Sequence, residues 1–269
     1  MQSRNFLPGI LFLGLAAFLL TAWVARPVAA IASDEPIDPT LSEQLQIAAV
    51  FTGSALVRVR DEDCNRLLLL HAEILGYRLD AIEAGGVVME RPGLRVRLRV
   101  DGALHDTLLP PPSEDQTDEV ESCREMLREE PDNEELARQL AEVLLDTDPY
   151  QSYAMTETWL RAHAETTSWQ TTRAVCLLRL RAYHDCVEYL SRAIREPGAD
   201  VDDYALSIHW YNLACAYSLW NKPAEALQAL KSCAALNDIT MNMIRTDPDF
   251  NASRDNPDFK AYVESLPEE

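Results

Sequence analysis

Positive charge is scarce in this chain. Twenty-four lysines and arginines stand against 44 aspartates and glutamates, a formal net charge of −20. Neutralising nucleic-acid phosphates needs a basic face, so the balance argues against a nucleic-acid binder. Signature motifs of catalysis are missing too: there is no H-E-x-x-H, no G-x-S-x-G and no phosphate loop. The stretch "DPDFNASRDNPD" lacks the alternating ligands, central glycine and closing glutamate of a calcium loop. No C-x-x-C pair occurs, and no cysteine precedes Cys64, which excludes a lipoprotein anchor. These absences set the expectation of a non-enzymatic protein with no cofactor and no metal site.

The histidines do not revive a catalytic reading. They stand at 71, 105, 163, 184 and 209, scattered along the chain. His184-Asp185-Cys186 resembles a nucleophile with its base, but positions i and i+2 of a helix point to different sides. An enzyme site in the β region would need a polar pocket joining His71, Glu73 and His105, and none is expected. Six cysteines in an exported chain invite a disulfide reading. Their irregular spacing favours small apolar core residues instead, with Cys176 and Cys186 the one pair placed to approach across a turn.

One long hydrophobic run is present. "FLPGILFLGLAAFLLTAWVA", residues 6 to 25, carries no charge and follows Arg4. At about 1.5 Å per residue, such a helix covers roughly 30 Å, the thickness of a bilayer core. Its length favours a retained anchor over a cleaved signal peptide, although Ala30-Ile31-Ala32 offers a cleavage site and Arg26 weakens the charge asymmetry. Either way, residues 33 to 269 are expected outside the cytoplasm: periplasmic on an anchor, or secreted after cleavage. Asn251-Ala252-Ser253 is a formal glycosylation sequon, meaningful only in a eukaryotic secretory context.

Charge and texture then divide the chain. Residues 106 to 148 hold fifteen acids against Arg124, Arg128 and Arg138, whereas residues 51 to 105 are balanced. The reading is an N-terminal segment at 1–32, a tether at 33–43, a small β domain at 44–105, a Pro-rich acidic linker at 106–118 and a helical region at 119–269. The fold class is α+β and multi-domain. "LVRVR" (56 to 60) and "LRVRLRV" (94 to 100) alternate with period two. Pro92-Gly93 suits the centre of a type II turn, which predicts a hairpin of 87–90 with 94–100; Gly85-Gly86 marks an earlier turn. Four or five short strands in this span imply a small barrel or sandwich with one wet face. "NRLLLLHAEI" is compatible with helix as well as strand. On the last strand, Arg95, Arg97 and Arg99 form a comb. It is either a hydrated face paired with Asp61, Glu62 or Glu90, which is favoured, or an electrostatic contact for an acidic partner or for the acidic 106–148 segment.

Two resemblances follow from these residues. "FTGSALVRVRDEDCNRLLLLHAEILGYRLDAIEAGGVVMERPGLRVRLRV", with Thr52-Gly53-Ser54 and the step from Gly76 to Ile82, is similar to the periplasmic homology-region domain of type II secretion C and type IV pilus assembly P proteins. It covers about a fifth of the chain, and nothing after residue 105 resembles either family. "WYNLACAYSLWNKPAEALQALKSCAAL" (210 to 236) resembles a tetratricopeptide repeat, with small Ala214 and Ala226 where helices cross and Trp210, Leu213, Tyr217 and Leu230 around them. "AVCLLRLRAYHDCVEYLSRAI" (174 to 194) is a second copy, departing in Arg181 where glycine is common. "PDNEELARQLAEVLL" with "MTETWLRAHAE" is a weaker third. The tail at 245 to 266 is similar to segments that follow a last repeat and cap the stack. The repeat resemblance implies a concave partner-binding face carrying Ile208, Tyr211, Cys215, Ser218 and Leu219, without a carboxylate clamp. Together these readings imply a membrane-anchored scaffold that binds envelope proteins or peptides. The alternative is a secreted repeat protein that binds a substrate or accessory enzyme.

Overall fold

The computed structural model describes residues 39–60, 62, 64–103, 114–198, 201–236 and 241–266. These fall within one compact unit, an α+β arrangement of N-terminal sheets followed by a helical region. Among the described residues no helix is long and apolar enough to cross a membrane; the expected span at 6–25 lies outside them.

A short helix, α1 (Pro39–Gln44), leads into seven strands: β1 (Leu45–Phe51), β2 (Ser54–Val59), β3 (Asn65–Leu69), β4 (Glu73–Ile74), β5 (Tyr77–Glu83), β6 (Gly86–Arg91) and β7 (Leu94–Arg99). They form an antiparallel sheet β1-β2-β3 and an antiparallel sheet β4-β5-β6-β7. A bridge between Ile47 and Val100, with the Asp101 N–H donating to the Ile47 carbonyl at 2.8 Å, ties the sheets at one corner. Between them lies a core of Leu45, Ile47 and Val57 from the first sheet and Leu79, Met89 and Val96 from the second.

The β6–β7 hairpin has Arg91 opposite Leu94, so Pro92 and Gly93 are its two turn residues, and Gly93 sits at φ +79° as a type II turn requires. The earlier turn is displaced by one residue from the expected Gly85-Gly86: Glu83 pairs with Gly86, so Ala84 and Gly85 turn and Gly86 belongs to the strand. Gly86 is required there by space, since a Cβ would come within 2.1 Å of the Leu98 carbonyl oxygen.

The stretch "NRLLLLHAEI" resolves into β3 and β4. Its ambiguity has a physical cause. The first sheet is covered on both faces: Leu68 turns to the second sheet, while Leu67 turns to the helices. A strand buried on both sides shows no polar alternation. In β1 a bulge at Ala48 serves the same end, putting Ala48 and Ala49 in the helix-facing core while Ile47 stays in the inter-sheet one.

The helices are α2 (Glu114–Glu129), α3 (Glu134–Thr147), α4 (Pro149–Ala162), α5 (Thr167–Arg179), α6 (Tyr183–Arg195), α7 (Asp203–Leu219), α8 (Pro223–Leu236), the short α9 (Met241–Ile244), a 3₁₀ turn (Pro248–Phe250) and α10 (Pro257–Ser265). From α2 to α8 each packs on the next; α3 also touches α5, and α5 touches α7. Side-chain caps fix their starts: Asn133 accepts from the Leu136 N–H, Asp148 from Gln151, Asp202 from Ala205 and Asn256 from Phe259. Each such cap is worth about 1 kcal/mol. The α5–α6 and α7–α8 turns are built alike. Ala182 donates to the Leu177 carbonyl and Arg181 to Leu178; likewise Lys222 donates to Tyr217 and Asn221 to Ser218. Both are Schellman closures, which place a left-handed residue after the helix. Arg181 and Asn221 occupy it, each at φ +56°.

The expected linker at 106–118 lies mostly outside the described residues, and α2 already begins at Glu114. The change of texture near residue 106 does not separate two cores. Ala49, Leu56 and Cys64 share one apolar cluster with Tyr150, Tyr153, Leu180 and Tyr183. The edge of β3 is capped by helix turns: Asn65 donates its backbone N–H to the Arg181 carbonyl at 2.9 Å, and the Leu67 N–H donates to Asp185 Oδ2 at 3.0 Å. An otherwise open strand edge is thereby closed.

Candidate interaction surfaces

The five residues expected on a concave binding face all lie on α7, and the tail has reached three of them first. Tyr211 is buried; its hydroxyl donates to Asp247 Oδ2 at 2.6 Å, and its ring meets Phe250 edge-on at 5.6 Å. Ser218, fully buried, accepts from the Ser253 hydroxyl at 2.8 Å. Cys215 lies against Asp247 and Asp249. Ile208 and Leu219 are half-buried. Tyr211, Cys215 and Ser218 are therefore closed to a partner. The physical reason is that apolar helix faces at the end of a stack must be covered: residues 247–254 lie on α7 and α10 packs on α8, placing Phe250 and Phe259 out of solvent.

Sequence reading did not single out the grouping this creates. Ligand atoms of Cys215, Asp247 and Asp249 lie within 4.8 Å of one another. Hydrogen bonds tie this group into the cap of the stack. Asp247 Oδ1 accepts from the Asp249 N–H at 2.9 Å and Oδ2 accepts from the Tyr211 hydroxyl at 2.6 Å. Burial, then the charges of Asp249 and Asp247, hold the Cys215 thiol well above its ordinary pKa. Burial likewise raises Asp249, with Asp247 adding to it.

The arginine comb faces acids other than those expected. Arg95 pairs with Asp80 Oδ2 at 2.9 Å and Arg97 with Glu83 Oε2 at 2.8 Å. Asp80 is the extra residue of a bulge in β5, between Leu79 and Ala81. Arg78 bridges Asp80 at 3.5 Å and Glu90 at 3.0 Å. Glu62 is engaged by Arg66 at 2.8 Å, and Asp61 lies outside the described residues. Arg99, at the strand end, is exposed.

The three residues at 184 to 186 diverge. His184 meets the Trp220 ring edge-on, Asp185 accepts from Leu67, and the Cys186 thiol donates to the Ala174 carbonyl at 3.5 Å. His71 and Glu73 are exposed, and His105 lies outside the described residues. All six cysteines are buried and free, Cys176 and Cys186 included. Burial pushes the Cys176 thiol up to about 11, against weak hydrogen bonds from Ser152 and Thr156 that lower it.

Two features become visible only in three dimensions. Arg173 stands 3.0 Å from Glu157, not aligned as a hydrogen bond, and its guanidinium lies over the Tyr189 ring at 4.8 Å. Tyr189 in turn donates to Glu165 at 2.6 Å. The second is a cleft where α6 and α8 flank α7. It has two hollows, of about 330 and 480 Å³, which share Tyr217 and Glu225. Comparison with protein families, curated proteins and solved structures gives no match to this chain.

Proposed function

We propose that this chain is a non-catalytic adaptor: a scaffold held to a membrane through residues 6–25, with its sheets and helices outside the cytoplasm, that binds protein partners. The observation that carries the reading is the repetition of one helix hairpin, α5–α6 and then α7–α8, closed by the same turn and leaving an open cleft along α7. Those hairpins fall on the residues that resemble tetratricopeptide repeats, and repeat stacks of that kind serve as docking surfaces. The weaker likeness of the strands to a secretion and pilus-assembly domain, together with the order of span, tether and β layer, supports an envelope assembly of that kind as the setting.

The tail-covered face of α7 is not part of this proposal; the cleft takes its place. The experiment is fractionation of the intact protein combined with photo-crosslinking from the cleft. Full-length mass in the membrane fraction, with reproducible protein adducts, is the expected result. A shortened protein in the soluble fraction, cut at residues 30–32, favours the secreted alternative. Absence of protein adducts from every surface position removes the adaptor reading.

A further inference from the structure

The cleft carries information about what it takes. Its first hollow, about 330 Å³, is aromatic and acidic. Trp220 and Tyr217 line it, His184 stands edge-on to Trp220 at 5.5 Å, and Glu188 and Glu225 lie on either side. Both glutamates are exposed, and neither forms an ion pair with a described residue. A cation already occupies part of this space: Lys222 Nζ lies 3.3 Å from the centre of the Trp220 ring. The ring face is thus presented for a positive charge, and the chain's own ammonium stands in for one. The adjoining hollow, about 480 Å³, is apolar along Ile194, Trp210, Leu213 and Ala229, with Arg195 and the shared Glu225 also in its lining. Glu188 and Arg195 lie seven residues apart on α6, so roughly 10 Å separates the acidic end from the basic one.

We infer that the cleft between α6 and α8 is a docking site for a protein segment with a lysine or arginine for the Trp220 hollow, an apolar side chain for the Trp210 hollow, and an acid to meet Arg195. Charge complementarity selects this occupant. An acidic segment would meet Glu188 and Glu225 at close range without compensation, and a purely apolar one would leave the cation-binding face and both carboxylates unanswered. A helix carrying these three groups across two turns matches the spacing, as in other helix-in-groove contacts. Lys222 acts here as a built-in competitor that the partner's cation displaces. The inference rests on the adaptor reading and names its surface.

The test uses the full chain in detergent and a fluorescein-labelled helical peptide with Lys, Leu and Glu on one face, Lys and Glu seven residues apart. Binding is read by anisotropy against the same peptide with glutamine in place of lysine. The lysine peptide is expected to bind at least tenfold more tightly than the glutamine peptide. The pair Glu188→Gln/Glu225→Gln is expected to lose at least tenfold, and Lys222→Gln to gain about threefold. Glu119→Gln/Glu129→Gln, an equal change of charge on exposed positions of α2, should leave binding unaltered, and circular dichroism melts should show every variant folded. Equal losses in both double variants would reduce the effect to general acidity and overturn the site. Weaker binding by Lys222→Gln, or equal affinity for the two peptides, would overturn it too. Photo-crosslinking separates the levels: protein adducts from Met126 or Tyr204 with a negative peptide test sink this site while leaving the adaptor reading standing.

Discussion

Asn65 and Leu180, 115 residues apart in the chain, are joined by a 2.7 Å hydrogen bond from the Asn65 side-chain amide to the Leu180 carbonyl. Asn65 is fully buried, and its carbonyl oxygen in turn accepts from Arg58 Nε at 2.9 Å. One amide thus closes the end of α5, holds an arginine and fixes β3 to that helix end. Asn65→Ala would leave the Leu180 carbonyl buried without this donor. Such orphaning costs about 1–3 kcal/mol, with the lost packing in addition. Urea unfolding followed by circular dichroism should show a loss of at least that size, and a change under 0.5 kcal/mol would contradict the role given to this joint.

Arg181 pays for its left-handed backbone, at φ +56°. Glycine removes the clash between Cβ and carbonyl, which costs about 1–2 kcal/mol in other residues. The carbonyl that receives the Asn65 N–H is kept. Arg181→Gly should therefore raise stability by about 1 kcal/mol in a thermal melt. Asn221→Gly, at the matching turn, should gain less, because asparagine tolerates this region.

His209 is fully buried, and neither ring nitrogen has a hydrogen-bond partner among the described residues. Burial lowers its pKa from the ordinary value of 6.5, against a smaller opposing pull from Glu165. The unfolded chain therefore binds this proton more readily than the folded one. Above pH 6.5 the group adds no pH dependence; as pH falls below 6.5 toward the folded-state value, stability is lost. Asp185 and Asp249, raised mainly by burial, act in the opposite sense in the acidic range. His209→Gln should flatten the pH dependence of urea midpoints just below pH 6.5, and an unchanged slope would refute the assignment.

Phe250 plugs the tail onto α7 and is fully buried. Phe250→Ala should cost about 3–5 kcal/mol, as large aromatic truncations in a core do. A second readout is chemical. In the native protein Cys215, buried and with its thiol pKa raised, should resist a maleimide at neutral pH. In the variant, peptide mass spectrometry should find Cys215 labelled well ahead of Cys176 and Cys186.

Arg95, its side chain about half exposed, contributes little through Asp80. Exposed pairs are worth below about 1 kcal/mol. Arg95→Ala should shift the unfolding free energy by less than that amount, with the hairpin intact.

Much of the local architecture could be read from the residues. Alternation and Pro92-Gly93 specify the β6–β7 hairpin because both signals are local. The helix pair of 210–236 follows from the small residues Ala214 and Ala226 set among the large Trp210, Leu213, Tyr217 and Leu230. What escaped reading depends on distance. β3 hides its type because both of its faces are buried. The comb's partners depend on a bulge at Asp80, which the spacing of residues does not announce. The covering of Tyr211, Cys215 and Ser218 was missed because a repeat pattern marks a face as available without saying that the chain's own tail lies on it. The acidic cleft at Trp220 needed three helices to be placed together, which no single stretch of residues announces.

The cap on β3 also has a consequence in time. Asn65 leaves the ribosome well before Leu180, and at about 5 to 20 residues per second the gap is roughly 6 to 23 seconds. During that interval the nascent first sheet has an unsealed border, able to pair with any other extended chain. A holding factor that keeps such a border idle, or threading of the polypeptide before it folds, would spare it that hazard.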